Sequence, residues 1–272
     1  MSEHCRDLEF QKEAMAYMAT LSRTNDWNRG AIAARGGLQT TLEALKMLPN
    51  TDLHAVGYDA LCCLSAGHSH NTDTIVANGG IDMLVRNMKM NKTCRSEITK
   101  QFVDAGGIDV IMVAMRAFED SHIIQDVGCS VLLNISMQPE NKDTMCALGC
   151  FGLIIRAMKN LWEDADVQKN GCKALESLAS SDENKKSVAT GGGISAIMSA
   201  METHMGVPAL QSLAVSALRK LATIACNRDT IIEGNCIEMV EQAMEKNPTN
   251  IFLHDNGKPL LMLLDPSRKK NH

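Results

Sequence analysis

One spacing recurs along this chain and limits what it can fold into. Gln11, His54, Gln125, Gln168, Gln211 and His254 stand 43, 71, 43, 43 and 43 residues apart. Three residues beyond each is a small one: Ala14, Gly57, Gly128, Gly171, Ala214 and Gly257. Seven beyond are Met18, Leu61, Leu132, Leu175, Leu218 and Leu261, and ten beyond are Leu21, Leu64, Ile135, Leu178, Leu221 and Leu264. Offsets of three, seven and ten share one face of an α-helix. The small residue in that row lets a neighbouring helix approach closely. A second row starts at Gly37, Gly80, Gly107, Cys150, Gly193 and Cys236, spaced 43, 27, 43, 43 and 43 residues apart. One, four, five and eight residues beyond it stand Ile108, Ile111, Met112 and Met115, then Phe151, Ile154, Ile155 and Met158, then Ile194, Ile197, Met198 and Met201. This is a second amphipathic helical stripe.

The pairs Gly36-Gly37, Gly79-Gly80, Gly106-Gly107 and Gly192-Gly193 precede the second stripe. Glycine tolerates positive φ, so each pair ends one helix and turns the chain into the next. Ahead of them the sequence predicts short helices over 71–77, 141–148, 184–190 and 227–233, each opened by an Asn that can cap its N-terminus. One unit is therefore a short helix, a glycine turn, a medium helix, a polar loop and a longer helix. Such a 43-residue all-helical unit, with Val167-Gln168-Lys169-Asn170-Gly171-Cys172-Lys173-Ala174-Leu175-Glu176-Ser177-Leu178 as an example, resembles the armadillo repeat. The resemblance runs from about Leu8 to Leu264. It implies an all-α fold, a right-handed superhelical solenoid of about six three-helix units. In that family the long third helices line a concave groove that generally binds other proteins.

The expected organisation is a single domain over 1–264. It comprises a cap helix at about 8–22 and repeats near 25–66, 70–105, 106–138, 140–181, 183–224 and 227–264. A basic tail, 265–272, follows. The repeat after Gly80 is 16 residues short: Ile81, Leu84, Val85 and Met88 supply a medium helix, and no third helix fits before Ile98. A solenoid layer shields its neighbour, so losing about four large apolar side chains forgoes roughly 6–12 kcal/mol of burial. Two readings stand: a deliberate break in the groove, or a shortened isoform or gene model. Either predicts a perturbed superhelix near 85–105. Pro259 lies inside the last long helix and is expected to kink it. The tail reads as a disordered solubilising end, with a weak nuclear-localisation or phosphate contact as the alternative.

Reactive constellations are not legible. His68 and His70 have no third ligand nearby and read as a solvated loop. The ten cysteines contain no Cys-x-x-Cys pair, which fits free thiols in a reducing compartment. Cys146 and Cys150 read as small packing residues. Cys129 and Cys172 share a column with Tyr58 and Val215, which also signifies packing. Gly191-Gly192-Gly193 lacks the Lys-Ser/Thr of a phosphate loop. Glu163, Asp164 and Asp166 read as a solvated acidic loop. Aromatic residues make up only 3%, too few for a typical β-sandwich. The net charge of −5 argues against a general nucleic-acid binder. No apolar run reaches the ~18 residues of a membrane span. No secretory core opens the chain, and Ser2 stands where N-myristoylation needs Gly. The expectation is a cytoplasmic chain, with the nucleus as a second location. It is expected to be no enzyme and to have no cofactor, metal or small-molecule substrate.

On the third helices, offsets five and nine from the repeating Gln or His should face the groove. They hold Ala16, Asp59, Ser130, Lys173, Ser216 and Pro259, then Thr20, Cys63, Asn134, Ser177, Lys220 and Leu263. The residue directly after the repeating Gln or His adds Asp126, Lys169, Ser212 and Asp255. The candidate partner-binding residues are Asp59, Asp126, Ser130, Asn134, Lys169, Lys173, Ser177, Ser216 and Lys220. Armadillo importins that read basic peptides use a ladder of Trp and Asn at offsets five and nine. Here Asn134 is alone in its column, and Trp27 and Trp162 lie outside both. Lys169, Lys173 and Lys220 suit an acidic peptide instead. The reading is a scaffold or adaptor holding an extended segment of a protein or peptide partner. A transport or targeting adaptor and a regulatory subunit docked on an enzyme are its alternatives.

Overall fold

The computed structural model describes residues 7–23, 25–48, 51–80, 83, 99–100, 102–104 and 106–270. These are helices and their connections, with no strand among the described residues. The shortened repeat expected near 85–105 lies largely outside them. The chain divides into two compact units, Met1–Phe118 and Glu119–His272.

The first unit holds α1 (Leu8–Ser22), α2 (Asp26–Ala34), α3 (Gly37–Met47), α4 (Thr51–Ser65), α5 (Ser69–Ala77) and α6 (Gly107–Ala117). The long helices α1 and α4 pack side by side. The apolar stripe of α1 is rotated from its expected phase. Met15 and Ala19 are buried, whereas Leu21 is 37% exposed. Among the described residues α1 packs on α4, α2 and α3.

The second unit repeats one pattern. Its short helices are α8 (Pro139–Ala147), α11 (Asp182–Thr190) and α14 (Ala225–Glu233). The medium ones are α9 (Cys150–Asn160), α12 (Gly193–Thr203) and α15 (Cys236–Lys246). The long ones are α7 (His122–Ser136), α10 (Ala165–Leu178), α13 (Pro208–Leu221) and α16 (Ile251–Leu264). Each long helix lies against the next long helix, and each medium helix against the next medium helix. Leu132, Ile135, Ile154, Leu175, Leu178, Ile197, Met201, Leu218 and Leu221 are at most 1% exposed, so the two stripes form the core between layers. α16 continues through Pro259. Residues Pro266–Lys270 form a short 3-10 helix rather than a disordered end. Arg268 holds it in place through Glu241 at 2.6 Å and Asp265 at 3.2 Å.

The glycine turns follow the sequence pattern for a physical reason. Gly36, Gly79, Gly106, Gly149 and Gly192 have φ of 84°, 73°, 84°, 78° and 90°. Side-chain-bearing residues avoid this left-handed region because Cβ meets the backbone. Asn235 occupies the same turn in the last repeat with φ 60°. The Asn235→Gly variant is therefore expected to gain about 0.5–1 kcal/mol, net of the extra freedom of its unfolded chain. Thermal unfolding followed by circular dichroism checks this, and a lowered midpoint would refute it.

The short-helix asparagines do a different job from the one expected. Each helix starts two residues earlier, so Asn28, Asn71, Asn141, Asn184 and Asn227 are third residues and not caps. The caps are residues such as Asn25 and Ser181, whose side chains accept from Asn28 N and Asn184 N. Four of the asparagines reach backward. Their amides donate to Leu21 O (2.9 Å), Leu64 O (2.7 Å), Ile135 O (3.1 Å) and Leu221 O (3.0 Å). These carbonyls lie in the last turn of the preceding long helix, where intrahelical partners run out; Ile135 O also accepts from Gln138 N, and Leu221 O from Ile224 N. Asn184 instead donates to Asp143 Oδ1 at 2.9 Å.

Candidate partner-binding face

The long helices of the second unit are tied together by side chains from the columns that the sequence singles out. Asn170 Nδ2 donates to Asp126 Oδ1 at 2.6 Å, joining α10 to α7. Ser136 Oγ donates to Ser177 Oγ at 2.8 Å, near the C-terminal ends of the same two helices. Ser216 Oγ donates to Glu176 Oε1 at 2.8 Å, and Lys220 Nζ donates to Glu176 O at 2.6 Å, joining α13 to α10. Asn250 Nδ2 donates to Ser212 Oγ at 2.8 Å, continuing the series to α16.

Eight of the nine candidate residues lie on α7, α10 and α13, in three successive layers. Their exposure differs. Ser130, Asn134 and Ser216 are buried, 6%, 9% and 4% exposed, because they sit where adjacent long helices meet. Asp126, Lys169, Ser177 and Lys220 are half-buried, and Lys173 is exposed. Lys169 forms an ion pair with Asp166 within α10. The ninth, Asp59, belongs to α4 of the first unit and holds Arg23 at 2.9 and 3.2 Å.

Lys220 is half-buried. Burial lowers its pKa below the ordinary lysine value, and the charges of Lys142 and Lys185 act in the same direction. Glu176 opposes them. Lys142, Lys185 and Arg228 are the fourth residues of α8, α11 and α14, a cationic column that lies off the long helices. Its signal is visible in the sequence: a cation follows the asparagine in Asn28-Arg29, Asn141-Lys142, Asn184-Lys185 and Asn227-Arg228, with Asn71-Thr72 the departure.

The cysteine column packs. Cys129 and Cys172 are 0% exposed. Burial pushes the Cys172 thiol up to about 12 and raises that of Cys129 further, which keeps both protonated and poor nucleophiles near neutral pH. His68 Nε2 lies 3.0 Å from Asp26 Oδ1. Asp164 of the acidic loop is the N-cap of α10, accepting from Asp166 N at 2.9 Å and Val167 N at 3.0 Å. Among the described residues no three His, Cys, Asp or Glu side chains converge as metal ligands would. No helix among them is long and apolar enough to cross a membrane.

This stack of short, medium and long helices is an armadillo-like helical repeat fold. Comparison with solved structures agrees. A designed armadillo repeat protein matches with a TM-score of 0.56 at 13% identity, over 84% of this chain and 100% of that one. An engineered protein from the Northeast Structural Genomics Consortium matches with a TM-score of 0.54 at 21% identity. That match covers 95% of this chain and 65% of the other. No protein-family model and no curated protein matches the sequence.

Proposed function

We propose that this chain is a non-catalytic interaction scaffold that holds an extended segment of a partner protein across the long helices α7, α10 and α13. The observation that carries this reading is the register. Successive layers place polar side chains at one helical offset, as Asn134, Ser177 and Lys220 do at offset nine. A segment crossing the layers meets an equivalent position on each. The helix-to-helix hydrogen bonds fix these positions before any partner arrives, which lowers the ordering cost of binding.

The test selects peptides from a random 12-residue display library on the purified full chain, then maps them by amide hydrogen exchange. Protection is expected in α10 and α13. Lys173→Trp places a bulky ring on the exposed part of that face and is expected to raise Kd at least tenfold, whatever the charge of the peptide. Protection confined to other helices, or unchanged affinity in Lys173→Trp, would sink the reading.

A further inference from the structure

A cavity of about 200 Å³ opens where two layers of the second unit meet. Its walls are Met158 near the end of α9, Trp162 in the loop that follows, and Ala196, Ser199 and Ala200 on α12 of the next layer. α12 contributes only small side chains, which is what leaves the space. Trp162 is 52% exposed, a large ring left half open to solvent. The loop beneath it is fixed from the next layer, because His204 Nε2, just past α12, lies 2.8 Å from Trp162 O. Glu119 and Met205 stand 43 residues to either side of Trp162, so the neighbouring repeats carry no ring at this place.

Gln168 of α10 lines the same cavity and supplies a polar group. It is 1% exposed. Its Nε2 is committed to Met158 O and Leu161 O, and its Oε1 accepts no hydrogen bond among the described residues. Gln211, one layer on, has its Oε1 sealed in, whereas that of Gln168 retains accessible surface where Gln168 borders the cavity. A buried amide oxygen without a donor is costly, so a donor brought in from outside is rewarded there. We infer that this cavity receives one tyrosine side chain of a partner protein, its ring against Trp162 and its hydroxyl donating to Gln168 Oε1.

Size, shape and charge favour that occupant. An apolar cavity of about 150 Å³ takes up benzene, so one ring fits here. Aromatic pairs gain from offset or edge-to-face contact. The tyrosine hydroxyl lies at the tip of its ring, so the ring can rest on the exposed indole while the O–H reaches the buried amide. Phenylalanine would leave Oε1 unpaired. Arginine or lysine could donate, but the exposed ammonium of Lys159 also lines the cavity and repels a cation. The carboxylates of Glu163 and Asp164 border a separate recess beside Trp162 and do not line this one. Only Gln168 comes from a long helix, so this site stands apart from the face proposed above and does not depend on it.

The experiment uses the full chain labelled with nitrogen-15 and follows the indole N–H signals of its two tryptophans, which Trp162→Phe assigns. The probes are acetylated, amidated Gly-X-Gly tripeptides with Tyr, Phe or Arg at the centre, and p-cresol as the same phenol without a chain. The tyrosine peptide is expected to shift the Trp162 signal saturably and to leave that of Trp27 in place. The phenylalanine peptide should bind about three- to tenfold more weakly, the worth of one hydrogen bond. The arginine peptide should not saturate. Ala196→Leu fills the cavity from its buried side and should abolish binding of the tyrosine peptide. Ser199→Leu, at an exposed position of α12, narrows it and should weaken binding at least fivefold, which keeps the test open if Ala196→Leu does not fold. Circular dichroism melting curves establish which variants are folded. Equal shifts of both indoles, no saturable shift with any probe, or a phenylalanine or arginine peptide as tight as the tyrosine one overturns the inference. So does unaltered affinity in folded Ser199→Leu. Binding of p-cresol without binding of the tyrosine peptide overturns it too, since the cavity would then admit a free phenol and not a side chain on a chain. None of these outcomes bears on protection of α10 and α13, so the scaffold reading stands or falls separately.

Discussion

Gly171→Val lowers the thermal midpoint of the second unit by an expected 5–10 °C. Gly171 lies on α10 facing the medium helix α9, and a Cβ built there would lie 2.6 Å from both Cγ and Sδ of Met158. The same close approach occurs at Gly57, where Leu45 Cδ2 lies 2.6 Å away, and at Gly257, where Met244 Sδ lies 2.5 Å away. Valine brings two methyl groups as well as Cβ into a layer where Met158 is 2% exposed. Overpacking of a filled core costs about 1–3 kcal/mol. For a unit of this size each kcal/mol moves the midpoint about 2–4 °C. Gly171→Ala separates the two forces at work. It gains about 1 kcal/mol of helix propensity and must displace one flexible methionine, so it should fall within about 1 kcal/mol of the parent. Ala214 occupies the equivalent place on α13, which shows that a Cβ can be accommodated in this register. Calorimetry of the three proteins checks the pair. A valine variant as stable as the alanine one would mean that the layers are not in close contact here.

That close approach is legible in the sequence because it leaves a periodic mark. The small residue recurs at the same offset in every unit, and only a repeat makes such a column visible. The apolar stripes are legible for the same reason, and Ile154, Ile197, Leu175 and Leu218 are all buried as their phase requires. Leu21 departs because α1 turns Met15 and Ala19 toward its packed side instead. The short-helix asparagines mislead because an Asn just ahead of an apolar run looks like an N-cap. The two residues before it, Pro139-Glu140 or Asp182-Glu183, are themselves good first-turn residues and extend the helix backward.

The candidate face is legible by position but not by environment. Offset and helical phase put Ser130, Asn134 and Ser216 on long helices, as the structure has them. Their burial depends on how near the adjacent long helix comes, and that is a tertiary quantity. The sequence presents Lys220 as a surface cation. Its setting against Lys142 and Lys185 involves residues 78 and 35 positions away on other helices, which no local pattern encodes. Asp59 shares the column of Ser130 and Lys173, yet in the structure it serves its own unit by holding Arg23.

The repeating Gln and His residues from which those offsets are counted are themselves structural, and this yields the second large effect. Gln168 Nε2 donates to Met158 O at 2.8 Å and Leu161 O at 2.9 Å. Gln211 repeats this with Met201 O at 2.8 Å and His204 O at 2.9 Å. Each glutamine thus closes the end of the medium helix that precedes it, where carbonyls lack intrahelical partners. Both are buried, 1% and 0% exposed, so water is a poor substitute. Gln168→Leu preserves the volume and removes the donors. Leu161 O still accepts from Asp164 N at 3.1 Å, whereas Met158 O is left with no other hydrogen bond from the connecting segment. An unsatisfied buried carbonyl costs about 1–3 kcal/mol, so the variant should lose about 2 kcal/mol. Gln168→Ala adds a cavity and should lose about 3 kcal/mol. Histidine offers a rescue that a purely steric role would not predict. His54 Nε2 lies 3.0 Å from Leu45 O, and His254 Nε2 lies 3.2 Å from Asn247 O, the same kind of carbonyl in the same register. Gln168→His should therefore be less destabilising than Gln168→Leu, because its ring can donate to one of the two carbonyls. Urea denaturation of the three variants decides it: a histidine variant no more stable than the leucine one would show that shape, and not the hydrogen bond, selects the residue in this column.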